Sequence, residues 1–383
     1  MTNLFWSLII MWGVLTLIRF YDTMSYIKEK RKSTDTSFIQ SHYTIMQPIL
    51  SGDPRLAKDL TANLENTKEI SFLWLIDQKD IIAQNMVKSI LKNKQYKNRT
   101  TCLFLEDVPE GINPKSFKLM RGLPYIETEF TIILDDDSVI DFTRFKEMSL
   151  YKQSEDEFLV TGIPYNDSQI GFWSNLVAGF VNSNSLLSYF PMAKVGQTNT
   201  INGMFYIAKT HLFRKYNVFD EIKYQLCDDL ALADYLFKKN VQLIQSTIPC
   251  NVCTTVGESK QYFCLMKRWL LFATIYLKRH FSFSLLFLVG LPTMLPTLLL
   301  ILGFFIGSYS VLLVICLIGI KAAILQKYRK QVFTLQEKRM NILYEVLNDF
   351  LLPLLYLYTV LTPAIIVWRD KKIRVIDGKI RYE

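Results

Sequence analysis

Three consecutive carboxylates, Asp135-Asp136-Asp137, follow the apolar run Phe130 to Leu134. Adjacent carboxylates repel each other, so a fold retains them where something compensates. Alternate residues of an extended segment share a side, which lets Asp135 and Asp137 converge while Asp136 points away. Two hard oxygen donors suit Mg2+ or Mn2+, with the remaining coordination supplied by a diphosphate. That reading is a metal site for a nucleotide-sugar. A surface acidic turn is the plainer alternative, and the triplet alone does not separate the two. A second pair, Asp228-Asp229, precedes Leu230, Leu232 and Leu236 at helical spacing. Carboxylates there favour a helix start through its dipole, and the pair taken alone favours that capping role. The catalytic alternative makes Asp229 a general base for an acceptor hydroxyl. Arg268-Trp269 lies within Lys267 to Lys278, which reads as an interfacial amphipathic helix. Trp and basic residues are common there as anchors; a chemical role would have Arg268 neutralise a leaving diphosphate and Trp269 wall an acceptor pocket.

The elements around these residues alternate. Tyr43 to Leu50 reads as a first strand, and Gly52-Asp53-Pro54 as a turn in which Asp53 caps a helix and Pro54 occupies its first position. Ile70 to Ile76 is a buried strand ending in Asp77, with a helix over Ile81 to Leu91. Thr101 to Leu105 is a third strand. Gly111-Ile112-Asn113-Pro114-Lys115 opens a helix to about Arg121, and Phe130 to Leu134 is the strand that runs into the triplet. Such alternation indicates a doubly wound α/β sheet, in which ligands gather at the carboxyl ends of strands. Asp77 and the triplet both sit at such ends. No Walker-type loop or GxGxxG occurs. Cys250 and Cys253 form a CxxC with no second pair or nearby histidine, so the cysteines read as thiols in a reducing compartment.

The rest of the chain is apolar to a degree that excludes a water-soluble protein. The 383 residues carry a formal charge of +9, with 50% hydrophobic and 21% charged residues. No Asp, Glu, Lys or Arg occurs from Met1 to Ile18, from Phe281 to Ile320, or from Phe350 to Trp368. As one helix, the second run would be about 60 Å long, roughly twice a bilayer core, so it must fold back. Basic residues follow each apolar run: Arg19 to Lys32, Lys327 to Arg339, and Arg369 to Arg374. This placement marks a cytoplasmic side and contact with anionic lipid rather than a nucleic-acid partner. The expected organisation is a transmembrane anchor over 1–20, a basic linker over 21–40 and a cytoplasmic domain over 41–265. After an interfacial helix over 266–280 come two transmembrane helices over 281–326, a basic loop over 327–346, a transmembrane or re-entrant segment over 347–369 and a basic tail over 370–383. Pro353 and Pro363, with the positive-inside rule, favour a broken hairpin lying against the catalytic domain for the last apolar segment; a full crossing is the alternative.

Together these motifs resemble family 2 glycosyltransferases, most closely the ceramide glucosyltransferase branch and its bacterial relatives. The resemblance spans essentially the whole chain. It rests on Pro48-x-x-x-Gly52-Asp53-Pro54-x-Leu56, the Gly111 to Lys115 turn, Asn202-Gly203-Met204, Asp228-Asp229, Arg268-Trp269, and Trp368-Arg369 followed by Ile373-Arg374-Val375. It implies a GT-A-like mixed sheet with transmembrane helices at both ends. Donor contacts would fall on Pro48, Asp53, Asp77 (nucleoside), Lys115 (phosphates) and Asp135. Asp135 and Asp137 would hold Mg2+ or Mn2+, and Asp229 would be the base. Asn202, Gly203, Met204, Asp228, Arg268 and Trp269 would serve the acceptor or leaving group. Leu265 stands where the family's signature has Gln or Arg, and Lys118 where Asn is frequent. The implied reaction is inverting transfer from a UDP-sugar to a membrane lipid hydroxyl. The rivals are a processive polysaccharide synthase, transfer to a polyprenyl phosphate, and a non-catalytic membrane scaffold.

Overall fold

The computed structural model describes every residue except 32–37, 153–156, 168–170, 253, 334–340, 369–370, 377–378 and 383. Its centre is an eight-stranded mixed sheet. The strands in chain order are β1 (Tyr43–Ile49), β2 (Ser71–Asp77), β3 (Thr100–Leu105), β4 (Phe130–Leu134), β5 (Ser138–Ile140), β6 (Phe158–Tyr165), β7 (Phe205–Lys209) and β8 (Gln242–Val252), arranged β3-β2-β1-β4-β7-β6-β8-β5. The β3-β2-β1-β4 half is parallel, β7 runs antiparallel to both β4 and β6, and β6 pairs parallel with β8. The expected doubly wound mixed α/β sheet is therefore present.

The parallel half is covered on both faces, which explains why its strands read as continuous apolar runs. Successive side chains alternate between two cores. Ile45, Trp74 and Ile132 enter one together with Leu60 of helix α2 (Leu56–Glu65) and Val87 of α3 (Ile81–Ile90). Met46, Leu73, Leu75 and Ile133 enter the other with Leu119 of α4 (Pro114–Gly122). Burying each such side chain stabilises the fold by about 1.5–3 kcal/mol. Trp74 is fully buried, and its Nε1–H donates to Gln47 Oε1 at 3.0 Å.

Among the described residues three helices are long and apolar enough to cross a membrane: α1 (Thr2–Lys30), the span Phe283–Ile306, and α10 (Ser308–Phe333). The second span ends in α9 (Leu291–Ile306), and Gly307 makes the turn into α10, so the long apolar run folds back on itself as expected. Helix α1 is longer than the expected anchor; it runs through the first ten residues of the expected linker to Lys30. The interfacial helix starts earlier than expected, as α8 (Ser259–Arg279). The last apolar segment is helical through Pro353, as α11 (Asn341–Leu361), ends before Pro363 and finishes as a strand, rather than forming a broken hairpin. It does lie against the catalytic domain, on α5 (Phe172–Asn184) and α8, and also touches α9 and α10. Neighbouring packing supports the helix where proline removes a backbone bond. The close approach of α11 to α5 needs Gly179, where a Cβ would stand 2.8 Å from Asn348 Nδ2.

Beyond α11, β9 (Ile365–Trp368), β10 (Lys371–Ile376) and β11 (Lys379–Tyr382) form an antiparallel sheet. Ile366 is buried against Leu226 and Leu271, so this sheet rests on α8 and on the loop before Asp228. Of the sequence features, Arg369 and Cys253 lie outside the described residues.

Candidate active site

The antiparallel pairing of β4 with β7 brings Asn202-Gly203-Met204 beside the aspartate triplet, and the Asp135 N–H donates to the Met204 carbonyl at 2.9 Å. The triplet is not extended. The strand ends at Leu134, and Asp136-Asp137 form a turn into β5. Asp136 is nevertheless directed elsewhere, because its Oδ2 accepts from the Leu50 N–H at 2.7 Å. Asp137 accepts from the Ser138 hydroxyl at 3.2 Å.

The turn at Gly111 to Lys115 organises the opposite wall. Asn113 caps α4 through its Oδ1, which accepts from the N–H groups of Lys115 (2.9 Å) and Ser116 (3.3 Å). Its Nδ2 donates to the Gln225 carbonyl at 3.0 Å, tethering the loop that leads into α7 (Asp228–Lys238). Lys115 then projects into the site. Its Nζ lies 2.6 Å from Asp135 Oδ1, 2.7 Å from the Gly203 carbonyl and 3.3 Å from Asp228 Oδ2. Burial works to lower the Lys115 pKa, but Asp135 and Asp228 outweigh it and hold the ammonium well above its usual range.

Asp229 has two inequivalent oxygens. Oδ1 accepts from the Leu230 N–H at 2.7 Å and from the Cys227 thiol at 2.8 Å. Oδ2 faces Gly203, where a Cβ would stand 3.1 Å from it, so no larger residue fits there without displacing the carboxylate. Burial raises the Asp229 pKa, and the neighbouring Asp228 adds to the rise. Burial, followed by the Asp229 charge, holds Cys227 well above a normal thiol, which keeps it protonated and donating.

The triplet is electrostatically unbalanced. Burial pushes Asp137 up to about 7, with Asp135, Asp136 and Asp53 adding their repulsion. Asp136 is pushed up to about 6 by burial, against the bond from Leu50. Asp135 is raised by burial despite its pair with Lys115. Arg268 of α8 is half-buried and within electrostatic reach of Cys227 and Asp137. Asp135 and Asp137 are a chemically suitable pair of hard donors for a divalent cation, which would relieve this repulsion. Among the described residues no three His, Cys, Asp or Glu side chains group as a metal site, so the other ligands would come from substrate or water.

A sequence profile described as glycosyl transferase family 21 matches residues 7–381. The chain belongs to that family. Its number differs from the family 2 that the motifs resemble, while the broader reading, a glycosyltransferase across the whole chain, is the same. No curated protein matches this family 21 chain in sequence. Among solved structures it is similar to the mannosyltransferase PcManGT from Pyrobaculum calidifontis, solved with GDP-Man and Mn2+. The identity is 11%, the TM-score is 0.47, and the match covers 92% of this chain and 99% of that one. It is also similar to S. aureus TarS 1-349, solved with UDP-GlcNAc, at 11% identity and a TM-score of 0.36 over 89% and 98% of the two chains.

The fold thus gathers Asp135, Asp137, Lys115, Gly203, Asp228, Asp229 and Arg268. Pro48 lies near the end of β1, opposite Leu75 of β2. Asn202 serves the backbone, with its Nδ2 donating to the Gly162 carbonyl at 2.8 Å. Asp53 does not cap the helix as expected. Its carboxylate accepts from the Arg55 N–H at 2.7 Å within the turn, Pro54 belongs to that turn, and α2 begins at Leu56. Trp269 stacks on Phe180 of α5 at 5.9 Å, and Leu265 packs in the same apolar cluster, so both face the contact with α5 and α11. Lys118 is buried and pairs with Asp77 Oδ2 at 2.9 Å while donating to the Ile49 carbonyl at 2.7 Å. Lys118→Met should destabilise the fold by about 1.5–3 kcal/mol, read as a lower midpoint in chemical unfolding. Sequence reasoning missed Cys227, Tyr189 and Tyr206, which contribute to the surroundings of Asp229. Cys227 adjoins the acidic pair and could have been noticed; nothing local marks the two tyrosines.

Proposed function

We propose that this protein is an inverting glycosyltransferase that moves glucose or a related hexose from a UDP-sugar to the hydroxyl of a membrane lipid such as ceramide, with the catalytic domain on the cytoplasmic side. The observation that carries the lipid acceptor is the bonding of the segment that ends in Tyr189 to a helix long and apolar enough to cross a membrane. Tyr189 lies within electrostatic reach of Asp229. It closes the π-helical segment Ser185–Tyr189 just before α6 (Phe190–Lys194), and the Leu187 and Leu186 carbonyls of that segment accept from Arg19 Nε (2.7 Å) and the Thr23 hydroxyl (2.6 Å) of α1. An acceptor held at the foot of α1 would present its hydroxyl where a base is already positioned, replacing a two-phase encounter by an oriented one.

In the reaction, Asp229 Oδ2 takes the proton from the acceptor hydroxyl as that oxygen attacks the anomeric carbon. The bond to the diphosphate breaks, and UDP leaves with the electron pair. Lys115 and Arg268 are the cationic groups placed to balance the departing charge. Asp77, at the end of β2 and paired with Lys118 of α4, would serve the nucleoside part, and Pro48 and Asp53 would flank the donor side. Asp135 and Asp137 would hold Mg2+ or Mn2+, which supplies further charge stabilisation to the diphosphate when bound. Chelation of divalent ions should abolish transfer, and added Mn2+ or Mg2+ should restore it in the native protein but much less in Asp137→Asn.

The pH dependence tests the base. The raised Asp229 pKa places the acid limb of kcat/KM above the range of an ordinary carboxylate. The thiol bond from Cys227 lowers that pKa, so Cys227→Ala should move the limb to higher pH. A pH–rate profile unchanged in Cys227→Ala would argue against Asp229 as the titrating group. The overall reading is tested on purified protein in lipid nanodiscs with Mn2+ or Mg2+, a panel of UDP-sugars and a total lipid extract, with products read by mass spectrometry. One hexose added to a lipid is the expected product. A ladder of additions would indicate a polysaccharide synthase, and an acid-labile product a polyprenyl phosphate acceptor. No product and no metal-dependent UDP binding would leave a scaffold.

A further inference from the structure

A second charged site lies where α1 ends. A cleft of about 400 Å³ is lined by Lys30, Arg31, Thr143, Arg144, Lys146, Glu147 and Thr247. None of these belongs to the carboxylate site. Among the described residues the lining holds four cations against one carboxylate, and that carboxylate is already engaged. The oxygens of Glu147 accept from the Tyr151 hydroxyl (2.9 Å), the Thr247 N–H (3.0 Å) and the Thr247 hydroxyl (2.5 Å). Asp141, which also acts on Arg144, uses Oδ1 to accept from the N–H and hydroxyl of Thr143.

Ring faces and a backbone carbonyl hold two of the cations. Lys30 Nζ lies 5.5 Å from the Tyr26 ring centre and 5.1 Å from that of Tyr151. Arg144 Nη2 donates to the Gln331 carbonyl at 3.4 Å, near the end of α10. The Arg144 charge works against that of Arg31. Among the described residues no salt bridge joins any of the four to a carboxylate. A surplus of like charge facing a cleft is costly unless an anion completes it.

We propose that this cleft binds a phosphate monoester or diphosphate group. Arg and Lys offer it charge-assisted bonds. The volume accommodates the phosphate with the group attached to it. The cleft adjoins the end of α1, a helix long and apolar enough to cross a membrane, and its Arg144 reaches the end of α10, so the phosphate comes either from an anionic lipid headgroup or from a soluble anion. Binding screens Arg31 from Arg144 and ties the end of α1 to the edge of the sheet. The inference does not depend on the proposed transfer reaction.

The test uses the full chain in two kinds of nanodisc. In phosphatidylcholine discs, inorganic pyrophosphate is titrated by calorimetry; in discs doped with phosphatidic acid, retained lipid is counted by mass spectrometry. Saturable binding is expected in at least one arm, and the arm that responds identifies the source. Lys146→Gln, at an exposed position, should weaken that binding about tenfold, and Arg31→Gln with Arg144→Gln about a hundredfold. Lys115→Gln should leave it unchanged. Binding in neither arm, binding equal in the native protein and both cleft variants, or loss in Lys115→Gln but not in Lys146→Gln would overturn the proposal.

Discussion

Asp229→Asn is expected to lower glycosyl transfer by about 10²–10⁴-fold while leaving UDP affinity nearly unchanged. The substitution is close to isosteric. Oδ1 can still accept from Leu230 N–H and the Cys227 thiol, so the side chain keeps its position. What is lost is a basic Oδ2 facing Gly203. The fold should tolerate the change, because burial and Asp228 both oppose the Asp229 charge. Donor affinity should survive because Asp77, Lys115, Asp135 and Asp137 are untouched. The check is kcat from lipid product formation alongside a UDP titration. Loss of both together would sink the assignment of Asp229 as base.

Arg329→Met is expected to be the most damaging substitution outside the site. Arg329 of α10 is 1% exposed and pairs with Glu345 of α11 at 2.9 Å. Glu345, itself 1% exposed, also accepts from the Ser183 hydroxyl of α5 and lies 3.4 Å from Lys321, which holds Asp349 at 2.6 Å. This network joins α10 and α11 to α5. Removing one partner of a buried pair leaves an uncompensated charge and costs about 3–5 kcal/mol. The double change Arg329→Met with Glu345→Gln should recover much of the loss, since it removes the stranded charge. Thermal unfolding in nanodiscs compares the three proteins. A double variant no better than Arg329→Met would contradict the account.

Much of the candidate site was legible because its residues sit where local pattern speaks. Asp77 and Asp135 follow apolar strand runs, and Asp228 opens a helix whose leucines repeat at helical spacing. Asp53 was misread because Gly-Asp-Pro satisfies the rules of both a turn and a helix start, and here Pro54 and Arg55 form a turn that leads into the helix at Leu56. Trp269 was ambiguous for a different reason. An aromatic on an amphipathic helix serves membrane, pocket or packing equally well until its neighbours are known, and here the neighbour is Phe180. The continuity of α11 through Pro353 was also beyond local reading, because helices from four directions support the segment where proline by itself would break it.

The sequence by itself determined the alternation of strands and helices, the carboxylates at the strand ends and the three membrane-length apolar helices. These follow from periodicity, chain stiffness and hydropathy, all of which act over a few residues. Tertiary structure alone decided the partners. Lys115 meets the Gly203 carbonyl 88 residues away because β7 reverses direction beside β4. The same reversal sets Asp229 against Gly203 and directs its free oxygen into the site. Arg329 meets Glu345 only because α10 and α11 pack side by side. Ion pairs and base geometry are non-local, since they depend on sheet order and helix packing, which a sequence pattern does not contain.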